Sequence, residues 1–272
     1  NRGPTVTAAS ADLVSIRRIS VPLDKPVPTG STNAYLVGDD GALLLDPAAR
    51  TDELDEAVAE HGVAHIALTH THPDHVGGVA AYAEETGATV WCRRGREDRF
   101  IEFTGVEPDR TFAEGSTLPV AGGLDVIDVP GHAPDHVAFE ADFGTICGDV
   151  AIAKGSIAVA APDGDVRAYL VALRRLYARD PPRLFPGHGP VIEDPRAACE
   201  RLLRHRLARE RDVLRAVESG AREIDAVVDA VYDRDLTGVR KFARATVVAH
   251  VETLAAHRRV RFDREAETVA PA

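Results

Sequence analysis

The sequence predicts a mixed α/β domain over residues 1–195 followed by a helical module over residues 196–272. Three observations lead there. Strand and helix signals alternate through the first part, helical periodicity takes over after Pro195, and the charge changes sign between the two parts. Residues 1–195 carry 16 Lys and Arg against 30 Asp and Glu, a net of −14, whereas residues 196–264 carry 16 against 11, a net of +5. With the −2 of the tail this gives the formal −11 of the 272-residue chain. An acidic front and a basic back suggest two parts with different partners.

In chain order, residues 13–21, 33–37 and 42–45 read as strands, the last two joined by Gly38-Asp39-Asp40-Gly41, a hairpin composition. A helix at 52–61, a strand at 66–69, a helix at 74–86 and a strand at 89–92 follow, an order that implies an α/β layer. Residues 124–129, 137–141 and 144–147 are again strands joined by short turns, and a helix at 166–178 leads to a short strand at 183–185. Beyond Pro195, Leu203, Leu207, Leu214 and Val217 share a helical face and Gly220 is a stop signal. Ile224, Val227, Val228 and Val231 make a second face, and Val247, Val251 and Leu254 a third. Residues 258–262 alternate as a strand, so three helices and a ribbon predict a winged-helix-like module, with a helical cap on the first domain as the plainer alternative.

Composition narrows the class. With 44% hydrophobic and 28% charged residues the chain is globular, and at 5% aromatic its core is built mainly from Ala, Val, Leu and Ile. The longest apolar runs, such as residues 157–161, fall far short of the roughly 18 residues of a membrane helix. Cys92, Cys147 and Cys199 are widely spaced and odd in number, which reads as reduced thiols in a soluble, cytoplasmic protein without a membrane partner.

The stretch Thr69-His70-Thr71-His72-Pro73-Asp74-His75 carries the chemistry. An H-x-H-x-D-H pattern arises by chance in about one or two chains per thousand of this length and composition. Imidazole and carboxylate lone pairs gathered in one strand-end loop suit a divalent cation. Three further donors sit beside glycine directly after short strands: His132 in Pro130-Gly131-His132, Asp149 in Gly148-Asp149, and His188 in Pro186-Gly187-His188-Gly189. Glycine lets the backbone turn sharply there and present one side chain.

Taken in order, His70, His72, Asp74, His75, His132, Asp149 and His188 resemble the ligand pattern of the metallo-β-lactamase superfamily of binuclear hydrolases. Asp46, closing Leu43-Leu44-Leu45-Asp46, resembles that superfamily's buried aspartate. Ser31-Thr32-Asn33-Ala34-Tyr35-Leu36-Val37 and the run from Pro186 to Arg211 are similar to the β-lactamase-like protein 2 group, whose members append a winged-helix-like domain. The resemblance implies an αββα four-layer sandwich over 1–195 and the helical winged-helix-like domain over 196–272. It departs from the family pattern at Pro47-Ala48-Ala49, Asp135 and Cys147, without removing a ligand.

By that resemblance His70, His72 and His132 would hold one metal, Asp74, His75 and His188 the other, and Asp149 would lie between them. Zinc is the default cofactor, with Fe²⁺ or Mn²⁺ as the alternatives that nitrogen-rich, thiolate-free donors also suit. Two such cations lower the pKa of a bridging water, so that a metal-bridging hydroxide serves as nucleophile, with Asp74 as the catalytic residue that orients it or accepts its proton. Cys147 reads as a small packed residue, and His136 as a donor supporting the ligands or a satisfied structural histidine rather than a ligand.

Three functions follow as expectations. The first is hydrolysis of an ester-type bond in a small-molecule acyl or thioester substrate, as in hydroxyacylglutathione hydrolases. The second is endonucleolytic cleavage of single-stranded RNA, with Arg240, Lys241, Arg244, Arg258, Arg259 and Arg261 as phosphate contacts. The third is a nucleic-acid- or protein-binding module with a structural metal centre. The sequence leaves dimerisation open.

Overall fold

A computed structural model describes residues 14–120, 122–233 and 235–272. Strands β1 (Ile16–Pro22), β2 (Ser31–Val37) and β3 (Leu43–Leu45) pair antiparallel, the opening expected from the hairpin signal. Helix α1 (Asp52–His61), strand β4 (His65–Ala67), helix α2 (Val79–Thr86), strand β5 (Thr89–Arg93), helix α3 (Glu97–Thr104) and strand β6 (Arg110–Phe112) continue it. The six strands form one sheet in the order β1-β2-β3-β4-β5-β6, parallel from β3 onward. Local chemistry sets the helix ends. The Thr51 hydroxyl accepts from the Leu54 amide at 3.2 Å, and Gly62 ends α1 with φ of 56°.

Strands β7 (Thr117–Leu118), β8 (Leu124–Asp128), β9 (Val137–Ala141) and β10 (Gly144–Gly148) are followed by helix α4 (Val166–Arg179) and strand β11 (Leu184–Pro186). They make a second sheet in the order β11-β10-β9-β8-β7. Helices α5 (Pro195–Glu218), α6 (Ile224–Val231) and α7 (Arg240–Ala256) lead to a hairpin of β12 (Val260–Asp263) and β13 (Thr268–Pro271). Among the described residues no helix is long and apolar enough to cross a membrane.

Period-two alternation explains the layers. Tyr35, Leu43 and Leu45 point between the sheets to meet Val126, Phe139 and Ile146, whereas Leu36 and Leu44 point outward to Leu54, Val58 and Tyr82 of α1 and α2. Ile127 and Ala138 face α4 and α5 on the far side. Helix, sheet, sheet and helix therefore stack in the predicted αββα order. Full burial of each such Leu or Val contributes about 1.5–3 kcal/mol before entropic losses.

Several elements differ from expectation. The helix expected at 74–86 begins only at Val79, because Gly77 and Gly78 lie against the backbone after β3. A Cβ on Gly77 would sit 2.5 Å from the Ala48 carbonyl oxygen, so this segment must stay a turn. Helix α3 escapes periodicity because Phe100 is its one fully buried residue. Leu13, expected to open the first strand, lies outside the described residues. Leu203 and Leu207 are only half-buried. Helix α5 instead buries Ala198, Cys199 and Leu202 against the sandwich and Val213, Ala216 and Val217 against α6 and α7. One helix thus belongs to both cores, and the ribbon strand expected at 258–262 pairs with residues of the tail.

His250 of α7 is fully buried, and both its ring nitrogens lack a hydrogen-bond partner. Burial, reinforced by Arg206, Arg209 and His205, pushes its pKa down to about 3. A depressed histidine pKa means that the unfolded chain takes up the proton first. The stability this neutral ring contributes is complete above pH 6.5 and is lost as pH falls from there toward 3, by about 1.4 kcal/mol per unit. Chemical unfolding at pH 7 and pH 5 should show a smaller acid loss in His250→Gln than in the parent. Equal losses would contradict this account.

Candidate metal centre

The carboxyl ends of β3, β4, β8, β10 and β11 gather at one edge of the sandwich. They place Asp46, the loop from His70 to His75, His132, Asp149 and His188 around a common point. All seven residues singled out from the sequence meet there. Donor atoms of His70, His72 and His132 lie within 4.8 Å of one another, as do those of His70, His75 and Asp149 and those of Asp74, His75 and His188. Asp149 reaches both sides: its oxygens are 3.6 Å from His132 Nε2, 3.3 Å from His188 Nε2 and 3.7 Å from His75 Nε2.

The outer hydrogen bonds decide which ring nitrogens face inward as lone pairs. His132 Nδ1 donates to the Ala158 carbonyl at 2.7 Å and His188 Nδ1 to the Ser31 carbonyl at 2.8 Å. His75 Nδ1 donates to Asp46 Oδ2 at 3.0 Å and His72 Nε2 to Asp163 Oδ2 at 3.3 Å. The Thr69 hydroxyl gives its proton to Asp46 and so accepts from His70 Nδ1 at 3.0 Å. Five imidazoles thereby turn an acceptor nitrogen inward, beside two carboxylates. His70 Nε2, His75 Nε2, His188 Nε2 and Asp149 Oδ1 are buried without a partner, and His72 Nδ1 lies 2.8 Å from His132 Nε2, lone pair against lone pair. Such a donor set fits divalent cations. It is held by the outward histidine bonds that metal sites use to fix ring orientation.

Electrostatics agree. Burial and the neighbouring His72 hold His132 down at about 4, with Asp149 opposing. Burial also lowers His188, but the facing carboxylates of Asp149 and Asp74, 3.3 and 3.4 Å from its Nε2, outweigh this and raise it to about 10. Asp74, raised by burial and lowered more by His188 and His75, falls to about 2. Protons and cations compete for these lone pairs, so cation uptake at neutral pH should release protons.

The backbone gives the centre no slack. A Cβ at Gly187 would lie 2.4 Å from Asp149 Oδ1 and 2.8 Å from His75 Cε1. Gly187→Ala should therefore displace both donors and weaken cation affinity by about 10–100-fold, the effect of disturbing a ligand's support. Cation titration beside thermal unfolding checks this: unchanged affinity contradicts it.

Sequence reasoning missed the supports around the ring. Arg99 of α3 donates from Nη2 to Asp163 at 2.6 Å and from Nε to the Thr71 hydroxyl at 2.8 Å, bracing the acceptor of His72. Asp135 accepts from the Thr71 amide at 3.0 Å. His136, expected to support the ligands or pack as a structural histidine, stacks on His70 and accepts the Asp149 backbone amide at 3.0 Å. Cys147 is fully buried, and burial raises its thiol pKa well above the ordinary range, as befits a packed residue.

A cavity of about 810 Å³ opens over Asp74, His132 and Asp149, with Val27, Phe103, Ile157, Pro162 and Phe242 among its walls.

Comparison with known proteins places these features. Residues 27–188 match the family model described as the Metallo-beta-lactamase superfamily. A Beta-lactamase-like protein 2 homolog of Drosophila melanogaster is 30% identical over 87% of this chain and 86% of its own. An Atrochrysone carboxyl ACP thioesterase of Aspergillus fumigatus is 28% identical over 73% of this chain and 64% of its own. A metallo-beta-lactamase family protein of Thermus thermophilus superposes with a TM-score of 0.78 at 25% identity, covering 94% of this chain and 98% of that one.

Proposed function

The chain belongs to the metallo-beta-lactamase superfamily, and from that premise we propose that it hydrolyses acyl thioesters or closely related ester-type bonds with the help of two divalent cations. His70, His72 and His132 would hold one cation and Asp74, His75 and His188 the other, with Asp149 shared; zinc, Fe²⁺ and Mn²⁺ all suit these donors. Such cations supply Lewis acidity toward water and toward the acyl oxygen.

The observation that carries the substrate class is the cavity set over the donor cluster, whose walls are largely apolar with Lys25, Arg99 and Lys241 among them. Val27, Phe103, Ile157 and Phe242 offer walls for an acyl chain, and burial of each methylene adds about 0.8 kcal/mol. With cations on these lone pairs, the ring of histidines would present no N–H for a leaving group. A thiolate departs without protonation at neutral pH, whereas an amine or an alkoxide is better served by a general acid. Asp74, ionised and partly exposed at the cavity floor, orients a water through its carboxylate. The likeness to a protein named as an ACP thioesterase supports the same class.

The RNA reading has weaker support. Arg240 is tied to Asp225 at 3.2 Å and Asp229 at 2.7 Å, and Arg244 to Glu267, so two of the six cations expected to contact phosphates are already neutralised. A structural metal role fits poorly with a wide cavity opening onto the donors, since structural sites are closed.

A series of acyl N-acetylcysteamine thioesters from acetyl to octanoyl, assayed by thiol release with metal-loaded protein, tests the reading. The expected result is kcat/KM rising at least about tenfold along the series. No thioester turnover, with a single-stranded RNA cut by the same sample, would overturn it.

A further inference from the structure

We propose that the seam between the sandwich and the helical module holds a binding site for a small carboxylate- or phosphate-bearing anion, built on Arg206 and Arg209 of α5. A second cavity, about 410 Å³, lies there, with Arg206, Arg209, His205, Tyr232, Thr246 and Asp233 on its walls.

Arg206 is only 3% exposed, and its guanidinium lies 5.6 Å from the Tyr169 ring centroid. Nη2 donates to the Ile157 carbonyl, while Nε is buried with no partner. Arg209 donates to the Val231 carbonyl at 3.0 Å and lies 4.2 Å over the Tyr232 ring. Among the described residues neither guanidinium forms an ion pair, whereas Arg204 and Arg215 on the same helix pair with Glu200 and Asp212. Carbonyl oxygens and aromatic faces orient these two cations without neutralising them. A buried cation without a counter-charge is unfavourable, and Arg206, buried, with the half-buried Arg209 beside it on one cavity wall, calls for an anion. Asp233 is the single carboxylate on that wall among the described residues.

Deeper along α7, one turn beyond Thr246, His250 is buried with both nitrogens unpartnered, so this side of the seam carries spare polar capacity. The volume suits a compact anion rather than a polymer. The site is distinct from the metal centre, yet it adjoins it: Ile157, Ala158 and Phe242 line both cavities, and the Ala158 carbonyl, next to the one that receives Arg206, orients His132. The inference does not depend on the hydrolase reading.

Calorimetric titration of the metal-loaded protein with inorganic phosphate and, separately, with acetate tests it at low ionic strength, where screening is weak. The expected result is saturable binding of one or both anions, the two arms showing whether phosphate or carboxylate is preferred. Arg209→Gln should weaken that binding by about tenfold, as expected for the loss of a charge-assisted contact. Arg204→Gln, on the exposed side of the same helix, should leave it unchanged. Asp233→Asn should tighten it, a gain that damage to the fold cannot mimic. No saturable binding of either anion overturns the proposal. So does an affinity that Arg209→Gln leaves intact, the result if the anions sit only at the metal centre.

Discussion

Asp149→Asn is expected to lower thioester turnover by more than about a hundredfold and to reduce the divalent cation bound per chain, while leaving the fold intact. Disturbing only the outer partner of a metal ligand costs about 10–100-fold, and Asp149 stands within 3.3–3.7 Å of donors on both sides of the cluster. Replacing one oxygen by an amide puts N–H groups among inward lone pairs and removes one of two negative charges. The backbone should tolerate the change, because the Asp149 amide stays bonded to His136. Elemental analysis, circular dichroism and kcat/KM on the purified variant check it. Wild-type turnover in a folded Asp149→Asn protein would contradict the assignment.

Asp46→Asn should be the most damaging substitution outside the ring. Asp46 is wholly buried and accepts three hydrogen bonds: from the Thr69 amide and hydroxyl, each at 2.7 Å, and from His75 Nδ1 at 3.0 Å. An amide nitrogen cannot accept, so at least one donor is left without a partner, at about 1–3 kcal/mol each. Asp46 also has φ of 51°, a left-handed conformation that asparagine adopts as readily as aspartate. Backbone strain is therefore not the cause of the loss. The expected outcome is a drop of about 3 kcal/mol in unfolding free energy together with weaker cation binding, since His75 and, through Thr69, His70 lose their orientation. Urea unfolding and cation titration measure the two effects. Loss of stability with unchanged cation affinity would show that Asp46 supports the sheet edge and not the cluster.

The parts of this site that were legible in the sequence are those whose signal is local. The run from His70 to His75 packs four donors into one loop, and His132, Asp149 and His188 each follow a short strand beside glycine. The glycines matter for a reason the fold makes concrete: at Gly148, with φ of 47°, an added Cβ would meet the Thr69 hydroxyl at 2.6 Å. The alternation of strands and helices was legible as an α/β layer, but the αββα stack came only from the family resemblance, since an unbroken run such as Leu43-Leu44-Leu45 does not show which face meets the second sheet.

The supports around the ring were not legible. The partners of His132 and His188 are the backbone carbonyls of Ala158 and Ser31, which any residue type supplies. Arg99 sits on a helix with one buried residue and so carries no periodic signal, and Asp163 becomes its partner only when the chain folds 64 residues away. The seam likewise depends on helix α5 serving two cores at once, whereas periodicity placed Leu203 and Leu207 on its apolar face. Both are half-buried against the sandwich core, while Val213, Ala216 and Val217 further along the helix serve the helical module.

The most direct measurement is a titration of Zn²⁺, and separately of Mn²⁺ and Fe²⁺, into metal-stripped protein, with acyl-thioester turnover followed at each addition. The account predicts no turnover at the start and a rise that levels off at about two equivalents per chain for at least one of these cations, as a two-metal site requires. Full turnover in the stripped protein, or no turnover at any loading, would contradict it.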